Sequence, residues 1–420
     1  MQEVVLNPNV ELVLGPSMIT WDELESVVSL LEGPMPKVWQ LDQAISATEL
    51  PFSRINRIRL RHQRLIVTPV SPMQVDASFD FVQEPESLDT DDEADDDPQL
   101  LDLLLMSRGL GASDPRDKIY ALLGLGKHDV DPDYSMSPES VFTDFALQTV
   151  GVVTNMASQH RSASLDLSSN LREVRRAMIL VSCAGRQNQK LELPSWVPDW
   201  TVNLSSRPLI FGLGHRFSAG GDKLAVFDWH PDFGFQLCGK LLDAVAVHGE
   251  VRLDYDPNGS SGPHEIIQDW WRETQQIAFA RTTRSPGSTR NVDAFEGLRR
   301  DLSICKHGYY ISGTRKGRRS SLLDEVENLD EAMHSASQTL TLGPTRGRVL
   351  FTTANGYIGL APHGTREGDL VFVILGGEVP FVLRPYDDGY EFIGEAYVQG
   401  VMNGEVLRME HVPVQDVMMR

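Results

Sequence analysis

Four residues, Asp199, His363, Asp369 and Glu395, are of types that can move protons, since a histidine among carboxylates is the usual equipment of general acid and base catalysis. Their surroundings argue against that use. Each stands alone near a turn signal, where a polar side chain is normally solvated or hydrogen-bonded to local backbone. Gly124-Leu125-Gly126 and Gly212-Leu213-Gly214 lack the third glycine of a dinucleotide fingerprint, and no Gly-Lys-Ser/Thr triplet offers a phosphate loop. His264-Glu265 begins like a zinc-protease helix, but position 268 is Gln, so the second histidine ligand is missing. There is no G-x-S-x-G elbow. The residues therefore predict no cofactor and no metal.

The elements that position these groups begin with Asp114-Pro115-Arg116-Asp117-Lys118-Ile119-Tyr120-Ala121-Leu122-Leu123-Gly124-Leu125. Asp114 reads as a helix cap, Pro115 as the first helical residue, and Asp117 as a carboxylate placed against the free N–H groups. Gly124 reads as the stop. Ile119, Tyr120, Leu122 and Leu123 supply the apolar stripe of a short packed helix.

Elsewhere, residues 4 to 14 read as a strand interrupted at Asn7-Pro8-Asn9. Thr20 and Glu23 form a capping box for a helix that Gly33-Pro34 ends. Further helices are predicted from Pro98 to about Arg108, from Ser137-Pro138 to Gly151, from Leu171 to Cys183, from Pro263 to Ala280, and around 292–304 and 322–340. Trp196 and Trp200, flanking Pro198, read as a wedge between a helical and a β-rich region. Strands are predicted within Phe233 to Val247 and from Arg348 onward, where Asn355-Gly356 is a strong hairpin signal. Later turns fall at Gly364, Gly376-Gly377 and Asp388-Gly389.

This gives an α+β fold: helical N-terminal and middle regions, then a small C-terminal antiparallel β-barrel or meander. Five segments follow, 1–83, an acidic loop at 84–97, a helical region at 98–190, a mixed α/β region at 191–345, and the β domain at 346–420. The formal charge of −21 opposes a nucleic-acid surface. Between Glu84 and Asp97 nine carboxylates occur without a Lys or Arg, which reads as a solvated, flexible loop. Arg315-Lys316-Gly317-Arg318-Arg319 reads as an exposed basic loop. Three scattered cysteines, Cys183, Cys238 and Cys305, predict reduced thiols and a cytoplasmic location. The longest apolar run, Leu100 to Met106, is too short to span a bilayer.

The run Asp114, Pro115, Arg116, Asp117, Lys118 through Tyr120 to Leu125 resembles a signature of fungal heterokaryon-incompatibility (HET) domain proteins. Pro132-Asp133-Tyr134 and Leu193-Pro194-Ser195-Trp196-Val197-Pro198-Asp199-Trp200 follow in the family's order. So does a C-terminal run containing Gly359, Gly368, Asp369, Arg384, Gly394, Tyr397 and Gly404. The resemblance implies that these are structural motif residues. It also implies that the Y-x-x-L-S-Y-x-W-G front of the family's α/β domain is missing ahead of Met1, so the chain reads as a truncated form with Gln2-Glu3 at the end of a W-x-x-Q-E stretch.

By remote analogy to TIR domains, some of which cleave the nicotinamide bond of NAD, Glu3 is the one catalytic candidate. A carboxylate alone cannot hold a dinucleotide, because ligands of open α/β sheets bind at strand ends that belong to the missing front. The resemblance thus implies a protein of non-self recognition and programmed cell death signalling that is not catalytic in this form, with NAD nucleosidase activity reserved for a longer form. It implies a protein partner or homo-oligomer, no nucleic acid and no membrane span.

Overall fold

A helix begins where its first N–H groups find a side-chain acceptor, and Thr20 shows this in the computed structural model. The Thr20 N–H and hydroxyl donate to Oε2 of Glu23 at 2.8 and 2.9 Å, while the Glu23 N–H donates to the Thr20 hydroxyl at 3.3 Å. The structure describes scattered residues from 5 to 59, most of 99–209, 217–221, most of 228–250, a few positions near 270, and 347–420. They divide into two units, 1–141 with 200–203, and 142–199 with 204–420.

In the first unit β1 (Glu11–Leu14) and β2 (Ser17–Thr20) form an antiparallel hairpin, and the capping box opens α1 (Trp21–Glu32) directly from β2. The strand expected from residue 4 begins only at Glu11, because Val5 is already helical and buried. Trp21 is buried, donating its indole N–H to Oδ1 of Asn56 at 2.8 Å. Then α2 (Leu100–Ser107) buries Leu100, Leu101, Leu103 and Leu104. The helix expected from Pro115 to Gly124 is much shorter: α3 covers only Asp117–Tyr120, followed by a 3₁₀ turn at Leu123–Leu125. Lys118 ties it to α2 by donating to the carbonyls of Arg108 and Leu110.

Ser137 caps α4 (Pro138–Gln159), accepting from the Ser140 N–H at 3.2 Å. The helix passes through Gly151 instead of stopping there. A lone helical glycine costs only about 1 kcal/mol relative to alanine, and the next residues continue the helix. In the second unit α5 (Leu167–Ser182) buries Val174, Ala177, Met178 and Val181, and a 3₁₀ turn follows at Arg186–Asn188.

The expected strands form one nine-stranded sheet. They are β3 (Asp228–His230), β4 (Gly234–His248), β5 (Arg348–Thr353), β6 (Ile358–Pro362), β7 (Leu370–Ile374), β8 (Phe381–Tyr386), β9 (Gly389–Glu395), β10 (Tyr397–Val398) and β11 (Val414–Met419). β4 pairs with β11, β11 with β9, β9 with β8, β8 with β7, and β7 back with β4, so the sheet closes into a ring. The far end of β4 also carries β5, β6 and β10. The sheet is mixed where a purely antiparallel one was expected, since β11 runs parallel to β9. Val245, Val349, Phe351, Val371, Val373, Val382, Ile393 and Val398 fill its core. Asn355-Gly356 turns β5 into β6 as expected, with Gly356 at φ 90°.

No described helix is long and apolar enough to cross a membrane, and no described cluster of His, Cys, Asp and Glu could hold a metal ion. The acidic loop at 84–97, the basic run at 315–319, the predicted helices at 292–304 and 322–340, Cys305 and Glu3 lie outside the described residues.

Candidate functional site

The motif residues gather into separate polar clamps. In the first unit Arg116 donates to both carboxylate oxygens of Asp114 at 2.9 and 2.7 Å, and to the carbonyls of Tyr134 and Met136. Asp114 therefore serves Arg116, both its side chain and its N–H at 2.9 Å, and not the helix N–H groups for which a cap was expected. The Arg116 hydrogen bonds hold the Asp114 carboxyl below the usual carboxylate range. The guanidinium lies 5.1 Å from the Tyr134 ring centre. Tyr134 donates to Oδ1 of Asp117 at 2.6 Å and packs edge-on to Tyr120, whose hydroxyl donates to the Asp133 carbonyl at 3.1 Å. Pro115 supplies a carbonyl to the Lys118 N–H at 3.1 Å. The two motifs, residues 114–120 and 132–134, thus fasten one another and leave no free nucleophile or base.

Trp200 is buried beneath the Arg108 guanidinium at 4.9 Å, and Arg108 donates to the Val202 carbonyl at 3.0 Å. In the second unit Asp199 is buried and accepts from the N–H groups of Lys190 and Leu191 at 2.8 and 3.1 Å. Gln189 donates to the carbonyls of Pro194 and Val197 at 2.8 and 2.9 Å. Ser195 accepts from the Phe392 N–H at 2.8 Å and donates through its own N–H to the Arg420 carbonyl at 2.8 Å, joining this turn to the ring. Trp196 is fully buried, its ring 4.7 Å from that of Phe235.

Within the ring, Arg384 grips Asp369 with two hydrogen bonds at 2.8 and 2.9 Å. The second Asp369 oxygen also accepts from the Arg366 N–H at 2.7 Å, and the guanidinium reaches the Gly364 carbonyl at 2.7 Å. Replacing Asp369 by alanine strands a charged fork and is expected to cost about 1–3 kcal/mol, read as a lower urea midpoint at unchanged slope. Gly359 has no room for a side chain, because a Cβ there would meet the Tyr397 carbonyl oxygen at 2.3 Å. Gly394 adopts φ 142° at an irregularity between β8 and β9, and Gly368 and Gly404 also have positive φ. The Tyr397 hydroxyl donates to Gln399 at 2.6 Å. His363 is partly buried, which lowers its pKa.

The deepest charged pair is Arg348 with Glu395, one expected only as a strand start and the other only as a lone acid. Both are sealed from solvent. Arg348 Nη1 donates to the Glu395 carbonyl at 2.8 Å, Nη2 lies 3.7 Å from Oε2, and the Leu209 N–H also donates to Oε2. Burial lowers the Arg348 pKa to about 10 against the opposing pull of Glu395. Burial raises that of Glu395, opposed by the Arg348 charge, the Leu209 N–H and Ser182. A carboxylate whose folded pKa lies above the ordinary 4.5 gives its full stability below that value and loses it as pH rises through the folded pKa. Glu395→Gln is therefore expected to gain stability relative to the native chain as pH rises from acid toward neutral, measured by thermal unfolding across that range.

The cavity against this pair is only about 10 Å³, lined by Ser182, Gln187, Asn188, Pro362 and Gly394 among others. That is the space of one water, not of a substrate. Asp199, Asp369 and Glu395 each have their own partners and are not brought together as an acid/base set.

A family model described as the Het-6 beta-barrel domain matches residues 275–413. The chain is similar to the fungal heterokaryon-incompatibility proteins. It is 25% identical over 370 aligned positions to heterokaryon incompatibility protein 6, OR allele, of Neurospora crassa, an alignment that takes in 73% of this chain and 52% of that protein. The chain thus spans about half the length of this curated relative. No solved structure matches. Two strands of the ring, β4 and β11, flank the matched span, so the match alone does not outline the closed sheet.

Proposed function

We propose that this chain acts in fungal non-self recognition, passing a signal toward incompatibility-type cell death through contacts with a protein partner or a second copy, in the cytoplasm and without catalysis of its own. The likeness to heterokaryon incompatibility protein 6 carries this reading. The polar residues of the described motifs support it, since each is engaged in holding backbone or a neighbouring charge, which is the behaviour of a scaffold. The test is expression of the chain in hyphae fused to a strain of different genotype, with vital-dye uptake as the readout. Dye uptake that depends on the chain is the expected result, and equal viability with and without it overturns the signalling role. Purified chain incubated with NAD is expected to release no nicotinamide, whereas release that Glu3→Ala abolishes overturns the non-catalytic part.

A further inference from the structure

We propose that the small void beside Arg348 and Glu395 is a built site for one water molecule, which donates one hydrogen bond to Oε1 of Glu395 and the other to Oε1 of Gln187. Both oxygens are buried and accept no hydrogen bond from the described residues, and both residues line the void. The orientation of Gln187 is set by its own amide: Nε2 donates to the Ile393 carbonyl at 2.5 Å, which leaves Oε1 as an acceptor. Two unpartnered acceptors on residues of one small void call for a donor of two protons. The volume of about 10 Å³ admits nothing larger than a single water.

A cation would satisfy the acceptors less well. The Arg348 guanidinium already stands 3.7 Å from the other oxygen of Glu395, and a further positive charge in this dry interior would be repelled by it. A neutral donor meets no such opposition. The site joins the end of α5 at Ser182 and the following turn at Gln187 to β5 and β9, which carry Arg348 and Glu395.

Oxygen-17 relaxation dispersion on the full chain counts long-lived internal waters. The native chain is expected to hold one more than Gln187→Leu. Equal counts in native and folded Gln187→Leu chains overturn the proposal. Gln187→Met is read the same way if the leucine variant fails to fold. A high-resolution crystal structure of the native chain decides independently: a water within hydrogen-bonding distance of both oxygens supports the site, and an empty void with the carboxyl proton of Glu395 shared directly with Gln187 overturns it.

Discussion

Arg348→Met is expected to destabilise the second unit by about 3–5 kcal/mol at neutral pH, because it removes the counter-charge of a carboxylate sealed from bulk solvent. The loss has two parts. The Glu395 carbonyl forfeits the hydrogen bond at 2.8 Å, and the Glu395 carboxylate remains buried with only the Leu209 N–H to hold Oε2. Since burial already raises the proton affinity of Glu395, the variant recovers part of the loss by taking up a proton, and its penalty shrinks toward acid pH. Arg348→Met combined with Glu395→Leu discards both charges together and is expected to be more stable than the single variant, as pairs replaced by apolar groups usually are. Urea titrations of the three chains at neutral and acid pH test this. A single-variant loss below about 1 kcal/mol at neutral pH would mean that the buried carboxyl is held by groups other than Arg348 and overturns the pairing as its main support.

Trp196→Ala is expected to cost a similar amount, about 3–5 kcal/mol, by the loss of a fully buried indole and the cavity left behind. Its ring lies 4.7 Å from Phe235 at the start of β4, and the adjacent Ser195 is bonded to β9 and to the carbonyl that follows β11. The damage therefore falls where the ring closes. Trp196→Phe keeps most of the volume and is expected to lose clearly less. Thermal unfolding of both variants provides the measurement, and indistinguishable midpoints for the two would show that the site collapses around the gap.

Much of this was legible in the chain wherever the cause is local. The Thr20–Glu23 box and the Asn355-Gly356 hairpin depend on residues within a turn of one another, and both occur as the pattern predicts. Roles that depend on distant partners were not legible. Asp114 has the spacing of a helix cap, yet Arg116 claims it, because the guanidinium is in turn anchored to carbonyls at Tyr134 and Met136. The candidate acids Asp199, Asp369 and Glu395 were visible as residue types, but their partners lie on other elements. Arg348 was passed over although a signal existed: an arginine opening the otherwise uncharged strand Arg348–Thr353, every position of which is buried, must find an anion. The parallel pairing of β11 with β9 leaves no mark on local periodicity at all.

The division of labour along β4 has an entropic consequence. This strand pairs with β7 and β11 over its first part and with β5 at its far end, so the chain that leaves β4 at His248 returns beside it at Arg348. Everything between is, topologically, one excursion whose two ends are held as neighbours by ladder hydrogen bonds. Closing such an excursion costs only about 0.6 kcal/mol more for each doubling of its length when the chain is flexible. Changes of length in that interval therefore cost the ring little, because its register is set by the paired strands on either side.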